Sequence, residues 1–339
     1  MSSAIRVGVL GASKIAARST VPALVAVDGV EVTTIAARDH ERAEAFADSH
    51  GLKVATDYQA VIDDPEIDAV YVPLPNGLHY VWVLKARQAG KHVLCEKSLT
   101  GSYAQSQELI GLAERSGLVL VENFMCETHP QHEITRALVS EGNLGELRHI
   151  DLGFGFPPFP RDDQRNSADL QGGALNDAGA YCAFMARHYA GRAPISVSCV
   201  QSNGDYDVEV SGAALLDFGD GLTASLVFGF QHDYRNELRL WGSGGQILIN
   251  RAFSIPAHRS PEITRVANTA ISVIEAPAAD QFLTQIQRFR DLITGEGDRS
   301  AEYGKLSQHA ATMGALRESA TQSGARVTLE DVTAGTHVA

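Results

Sequence analysis

Apolar residues follow two different rhythms along this chain. Up to about Asn123, short unbroken apolar runs (Ile5–Leu10, Val30–Ala36, Ala69–Val72, His92–Cys95 and Leu118–Val121) alternate with stretches of helical spacing (Lys14–Val27, His40–Ser49, His79–Ala89 and Ser102–Ser116). Strands that read as continuous apolar runs between helices predict a parallel sheet covered on both faces. Pro22 falls inside the first helical stretch, where its missing N–H predicts a kink or interruption. After Asn123 the rhythm changes. A helix over His132–Ser140 leads to a strand over Glu146–Phe156, a Pro/Phe-rich loop to Arg165 and a helix over about Leu175–Tyr189. Longer strands follow: Ile195–Asn203, Val208–Phe218, Leu222–Gln231, Glu237–Trp241 and Gln246–Asn250. Thr223, Ser225, Val227 and Gly229 alternate with Ala224, Leu226, Phe228 and Phe230, a period of two that predicts a sheet with one face on helices and one face open. Turns such as Gly219-Asp220-Gly221 and Gly242-Ser243-Gly244-Gly245 suit hairpins. Helices over Gln281–Ile293 and Glu302–Gln322 close the chain. The pattern predicts an α/β domain with a doubly wound parallel sheet over residues 1–124 and an α+β domain over 125–339, the latter built on a large, mainly antiparallel open-faced sheet.

Composition narrows the function classes. Of 339 residues, 44% are hydrophobic and 20% charged, enough to bury two ordinary cores. Asp and Glu number 41 against 28 Lys and Arg, a formal charge of −13. That balance argues against nucleic acid as a partner, although a few local arginines can still hold one phosphorylated ligand. Cys95, Cys126, Cys182 and Cys199 have neither disulfide-framework nor metal-ligand spacing, and no metal-binding histidine motif occurs. Four buried free thiols, no signal peptide and no apolar stretch of membrane length set the expectation of a cytoplasmic protein with no metal and no membrane partner.

The first candidate site is Gly8-Val9-Leu10-Gly11-Ala12-Ser13-Lys14-Ile15-Ala16, where a strand turns into a helix. Backbone N–H groups and a helix N-terminus at such a turn hold a pyrophosphate. Gly11, Ser13 and Ala16 occupy the places of the G-x-G-x-x-A dinucleotide fingerprint. Ser13 replaces the middle glycine and offers a hydroxyl in exchange for the close backbone approach. Downstream of the second strand, Ala37-Arg38-Asp39 places an arginine where an acid would bind the ribose 2′-OH of NAD. NADP is therefore expected, with Arg38 on its 2′-phosphate; Asp39 keeps NAD open, and a solvated loop arginine is the plain alternative.

The second candidate site combines Lys97, in Cys95-Glu96-Lys97-Ser98, with Asp177 and Tyr181, in Asp177-Ala178-Gly179-Ala180-Tyr181. On an α-helix, residues four apart share a face. A lysine ammonium lowers the pKa of a nearby phenol, so the pair can pass a proton near neutral pH. Each residue alone has a plainer reading: a strand-end lysine, a helix N-cap, a core tyrosine. Together with Pro75-Asn76-Gly77-Leu78-His79 and Gly172-Gly173-Ala174-Leu175-Asn176, they give the chain a resemblance to the glucose–fructose oxidoreductase/inositol dehydrogenase/MocA family over almost its whole length. That family has proline after the lysine, where this chain has Ser98. The resemblance implies hydride transfer, with Tyr181 donating the proton, Lys97 stabilising or sharing it and Asp177 orienting Lys97 or a sugar hydroxyl. It also implies a cofactor site formed by Gly11, Ser13, Lys14, Ile15, Ala37, Arg38, Pro73, Leu74, Asn76, His79, Glu96, Lys97 and Asn123.

Within that family the chain is most similar to the sugar-nucleotide ketoreductases of deoxysugar biosynthesis, which act on C-3 of dTDP-linked keto sugars. Tyr71-Val72-Pro73-Leu74-Pro75, Glu122-Asn123-Phe124-Met125, His129-Pro130-Gln131-His132 and Tyr234-Arg235 carry this likeness. Phe156 and Phe159 are candidates for stacking on a base, and Arg161, Arg165 or Arg235 for meeting a diphosphate. A free sugar, polyol or dihydrodiol is the alternative substrate, and a catalytically silent NADP-binding regulator the third reading. The open sheet face suggests a homodimer or homotetramer.

Overall fold

The computed structural model describes residues 4–334 and divides into two compact units, Met1–Phe124 with Phe282–Ser307, and Met125–Gln281 with Gln308–Ala339. The first unit is a six-stranded parallel sheet in the order β3-β2-β1-β4-β5-β6. The strands are β1 (Ile5–Leu10), β2 (Val30–Ala36), β3 (Lys53–Val54), β4 (Ala69–Val72), β5 (His92–Cys95) and β6 (Leu120–Glu122). Its helices are α1 (Val21–Ala26), α2 (His40–His50), α3 (Tyr58–Asp63), α4 (Asn76–Gln88) and α5 (Tyr103–Ser116). The strand order reverses between β1 and β4, and sheets of this kind bind ligands outside the strand ends at that switch point. Core strands are buried on both faces, as their unbroken apolar sequence requires: all four residues of β4 are buried.

Pro22 does interrupt the first helix, in a specific way. Ala16–Thr20 forms a π-helical turn, closed by the Val21 N–H donating to the Ala16 carbonyl, and Pro22 then sits in the first turn of α1. A proline there has no N–H to offer, and the wider turn before it removes the clash an α-helical partner carbonyl would make.

The segment Phe282–Ser307 departs from the sequence reading, which placed it in the second domain. Its Ile286, Phe289 and Leu292 are buried in one core of the first unit with Val7, Val9, Leu24 and Val121, and its Tyr303 and Leu306 are buried in the other with Val70, Val83 and Ile110. Helical apolar spacing shows that these side chains need a core but not which core, so the return of the chain is invisible in sequence.

The second unit is built on a nine-stranded sheet. Helix α6 (Pro130–Ser140) precedes β7 (Leu147–Gly155), and a π-helical turn, Leu175–Gly179, leads into α7 (Ala180–Ala190). Then come β8 (Ser196–Ser202), β9 (Ser211–Gly219), β10 (Leu222–Gly229), β11 (Arg235–Gly242), β12 (Gln246–Ile249), β13 (Glu262–Ala267) and β14 (Ala270–Glu275). Helix α8 (Gln281–Thr294), from Phe282 on, and the first part of α9 (Arg299–Thr321) belong to the first unit, and the second unit resumes at Gln308 within α9, before the short β15 (Val327–Thr328). The order is β14-β13-β12-β11-β7-β10-β9-β8-β15, antiparallel throughout except for the parallel pair β7 and β10. Ala224, Leu226 and Phe228 are buried while Val227 is exposed, so the period of two does sort the faces. The hairpin β13–β14 was not foreseen. Its turn is Asn268-Thr269, both at positive φ, in place of the glycine that usually marks such a turn, and Ile271 and Val273 are exposed.

Buried histidines make this unit sensitive to acid. The fully buried His132 has Nδ1 2.7 Å from the Tyr189 hydroxyl and Nε2 2.8 Å from the Ala252 carbonyl, so Nε2–H donates and Nδ1 accepts. Burial, reinforced by His188, pushes its pKa down to about 3, and burial pushes that of His129 down to about 4. Unfolded, both rings titrate near 6.5, so below that pH the unfolded chain binds more protons and stability falls until the folded values are reached. His132 alone accounts for about 2 kcal/mol at pH 5. The urea midpoint is therefore expected to fall steadily between pH 7 and pH 5; a constant midpoint over that range would contradict the assignment.

Candidate active site

In the first unit the residues singled out from sequence collect at one edge, because each follows the carboxyl end of a parallel strand. Gly11 ends β1 at φ +124°, a conformation that favours glycine, and a Cβ there would lie 3.0 Å from Leu74 and 3.6 Å from the Pro73 carbonyl. Pro73 and Leu74 thus wall the turn from the end of β4. Two residues on, the Ser13 Oγ accepts from the Ala16 N–H at 3.2 Å. The hydroxyl thus satisfies a free N–H at the start of its own helix as an acceptor. Lys14 is exposed and Ile15 half-buried at the same turn.

Past β2, Ala37 is half-buried and Arg38 exposed, while Asp39 caps α2 by accepting from the Arg42 N–H at 3.2 Å. One oxygen of the acid that kept NAD open is thus engaged at a helix end, while the Arg38 side chain is exposed beside it.

Lys97 follows β5, and the Lys97–Ser98 peptide is cis. Two buried side chains fix the residues after it. The Leu99 N–H donates to Glu122 at 2.7 Å, and His79 Nδ1 lies 2.8 Å from the Ser98 carbonyl. His79 Nε2 lies 2.7 Å from the Leu74 carbonyl, so the buried ring sits between the β4 and β5 loops and, when neutral, donates its one N–H to one of the two carbonyls. Burial pushes its pKa down. Asn76 opens α4, whose cap position is Pro75. Glu96 receives hydrogen bonds from Tyr71 and from Asn123, both at 2.7 Å. The Asn123 Oδ1 is buried and has no partner within the described residues, an acceptor waiting for a donor.

In the second unit, Gly172 and Gly173 let the chain pass over other groups. A Cβ on Gly172 would lie 2.2 Å from the Arg165 carbonyl, and one on Gly173, at φ +98°, would lie 2.3 Å from the Glu209 carboxylate. That carboxylate accepts from the Leu175 N–H at 3.0 Å and caps the helix, a role the sequence reading had allowed for Asp177. Gly179 meets the sheet: a Cβ there would lie 3.2 Å from the Phe228 ring. The π-helical turn Leu175–Gly179 contains Asp177 and ends two residues before Tyr181, so the chain between them winds more widely than an α-helix.

Asp177 pairs with Arg165 at 2.9 Å, and Arg165 also meets Asp163 at 3.2 Å and stacks over Phe159, 4.6 Å from the ring centre. The nearly buried Tyr181 packs edge-on against Phe154 at 5.4 Å, with its hydroxyl 3.2 Å from Met125 Sδ. Phe154 touches Phe156 at 4.6 Å, and Phe156 touches Phe159 at 6.0 Å and Tyr234 at 5.9 Å. The structure thus brings Phe156, Arg165, Asp177 and Tyr181 into one cluster.

Two other arginines lie elsewhere. Arg161 stacks on Tyr206 and donates to the Asp205 carbonyl. Arg235 lies on the open sheet face over Gly153, paired with Glu237 at 2.9 Å and Asp151 at 3.3 Å. The diphosphate role offered for Arg235 does not fit this placement, since its side chain is on the sheet face away from α7, where the aromatic cluster does not lie. Arg251, which the sequence reading passed over, stacks on Tyr234 at 5.3 Å and has no acidic partner within the described residues. Of the two histidines in the His129–His132 segment, the first caps α6 by accepting from the Gln131 N–H and the second is core.

Comparisons with known proteins agree with this division of labour. The family model described as "Oxidoreductase family, NAD-binding Rossmann fold" matches residues 5–124, and the GFO/IDH/MocA C-terminal domain matches residues 132–248. A dTDP-3,4-didehydro-2,6-dideoxy-alpha-D-glucose 3-reductase from Saccharopolyspora spinosa is 39% identical over 95% of this chain and 98% of its own. A D-xylose 1-dehydrogenase (NADP(+)) from Haloferax volcanii is 33% identical over 95% of this chain and 99% of its own. The crystal structure of KijD10, a 3-ketoreductase from Actinomadura kijaniata in complex with NADP and TDP-benzene, superimposes with a TM-score of 0.90 at 39% identity, covering 94% of this chain and 98% of that one. The chain belongs to the GFO/IDH/MocA family of oxidoreductases.

Proposed function

We propose that the protein is an NADPH-dependent ketoreductase that acts on the C-3 carbonyl of a dTDP-linked keto-deoxysugar. The observation that carries this reading is the cluster of Tyr181 and Asp177 with the aromatic loop Phe154–Arg165, in a chain that resembles a TDP-ligand-binding 3-ketoreductase over 94% of its length. Aromatic faces suit a base and guanidinium groups suit a diphosphate.

The cofactor fits the residues present. Gly11, Ser13, Lys14 and Ile15 supply the turn and helix start for its pyrophosphate, and Arg38 supplies the positive charge for a 2′-phosphate. Pro73, Leu74, Asn76, His79, Glu96 and Asn123 line the remaining strand ends. When bound, the nicotinamide supplies the hydride. In this reading Tyr181 protonates the carbonyl oxygen as negative charge develops on it, and Lys97 stabilises that charge through its ammonium group. Asp177, already paired with Arg165, holds a sugar hydroxyl or orients the donors around it. Binding energy from the nucleotide positions the sugar ring for the reaction.

Trp241, Leu215, Val200 and Val227 are exposed on the open sheet face, and we assign that face to a second copy of the chain in a homodimer or homotetramer. The four buried free cysteines suit a reducing cytoplasm, and no described helix is long and apolar enough to cross a membrane.

Two measurements check the ligand assignments. Arg38→Ala is expected to cut the preference for NADPH over NADH about tenfold or more in fluorescence titrations, the size of one lost charge-assisted hydrogen bond; an unchanged preference would remove Arg38 from the site. Arg251, stacked on Tyr234 beside the aromatic loop and without an acidic partner among the described residues, is assigned to the diphosphate. Arg251→Ala is therefore expected to weaken dTDP binding by about tenfold while Arg235→Ala leaves it within about twofold, read by calorimetry. The reverse ranking would move the diphosphate to the open face.

A further inference from the structure

The first unit buries a polar chain that no step above uses. Thr20, in the π-helical turn, and Tyr71, on β4, are both fully buried. The Tyr71 hydroxyl lies 3.0 Å from Thr20 Oγ1 and 2.7 Å from Glu96 Oε1. A phenol has one proton, and the carboxylate is the stronger acceptor. Tyr71 therefore donates to Glu96, and Thr20 donates to Tyr71. The buried Asn123 amide donates to the same Glu96 oxygen at 2.7 Å. Glu96 is joined through the backbone to Lys97. We propose that Tyr71 is a positioning residue for the reaction: through its hydroxyl it holds Glu96 as an oriented carboxylate that gives Lys97 a fixed counter-charge.

Three features support a tuned group over ordinary packing. An apolar core at this place would need no hydroxyl, and a phenylalanine would fill β4 equally well. Two donors converge on one oxygen from separate elements, Tyr71 of β4 and Asn123 just after β6, and Thr20 of the first helix holds the Tyr71 hydroxyl in turn. The surroundings also oppose its charge. Burial pushes the Glu96 pKa up, and the Asn123 and Tyr71 hydrogen bonds and the Lys97 charge pull it back. Tyr71 itself stays a neutral phenol, since burial and Glu96 push its pKa up. The other titratable groups at this place are Cys95, whose thiol burial keeps protonated, and Glu122, which accepts from the Leu99 N–H. Without Tyr71, Glu96 is expected to take up a proton at higher pH, and Lys97 then loses its counter-charge where the enzyme works.

The direct test is carbon NMR of the full chain labelled at the glutamate carboxyl carbons, with Glu96→Gln to assign the Glu96 signal. In Tyr71→Phe the titration midpoint of Glu96 is expected to rise by about one pH unit, the size of one lost hydrogen bond to a charged group. Thr20→Val, which keeps the phenol but removes its support, is expected to give a smaller rise in the same direction. An unchanged midpoint in a cooperatively folded Tyr71→Phe protein would overturn the proposal. The NMR experiment needs neither substrate nor turnover, so it stands apart from the ketoreductase reading on which the word "reaction" rests. Where turnover is measured, the acid limb of the kcat profile is expected to move up by the same amount, with activity restored at higher pH and NADPH affinity at that pH unchanged. A uniform loss of kcat at every pH would assign Tyr71 a purely structural part.

Discussion

The contact that the second unit depends on is the one between α7 and its sheet at Gly179. Every residue from Ala178 to Ala186 is buried, so this helix has no solvent face in its first two turns. It lies close to Phe228 because Gly179 has no Cβ, and small residues (Ala178, Ala180, Cys182, Ala183) continue the close approach. A helix pressed so tightly cannot rotate or slide without opening a void in a close-packed core. Asp177 and Tyr181 inherit that rigidity. The π-helical turn and the Glu209 cap then set the direction in which these two side chains leave the helix.

The first unit reaches the same end by different means. Its functional groups sit on loops after parallel strands, where backbone is otherwise free to move. Each loop meets the next through a buried side chain: Leu74 packs against Gly11, the His79 ring sits between the Leu74 and Ser98 carbonyls, Glu122 holds Leu99, and Tyr71 with Asn123 holds Glu96. Polar residues buried for this purpose do little for stability on their own. Their value is that the loop carrying Lys97 has few other positions available.

Much of this was legible in the sequence because the relevant signals are local. Strand–turn–helix order placed the Gly11 turn, and alternation of apolar residues sorted the faces of β10. The same alternation was available for Arg235: it shares parity with Glu237, Arg239 and Trp241, while Asn236, Leu238 and Leu240 are buried. Counting that parity would have put Arg235 on the open face. Other features were out of reach. The return of Phe282–Ser307 to the first unit, the capping of α7 by Glu209 and the Thr20–Tyr71–Glu96 chain all join residues far apart in sequence, and nothing local encodes them. The β13–β14 hairpin was missed because Asn268-Thr269 adopts positive φ without a glycine to announce it.

The central claim is that Lys97 and Tyr181 serve one proton transfer coupled to NADPH oxidation on a nucleotide-linked ketone. The most direct measurement follows NADPH absorbance with a dTDP-linked 3-keto-deoxysugar and identifies the product by NMR. The account predicts NADPH consumption matched by a new hydroxyl at C-3, lost in Tyr181→Phe and Lys97→Ala and absent when the same sugar lacks its nucleotide. Equal rates with and without the nucleotide, or full turnover in both variants, would contradict it.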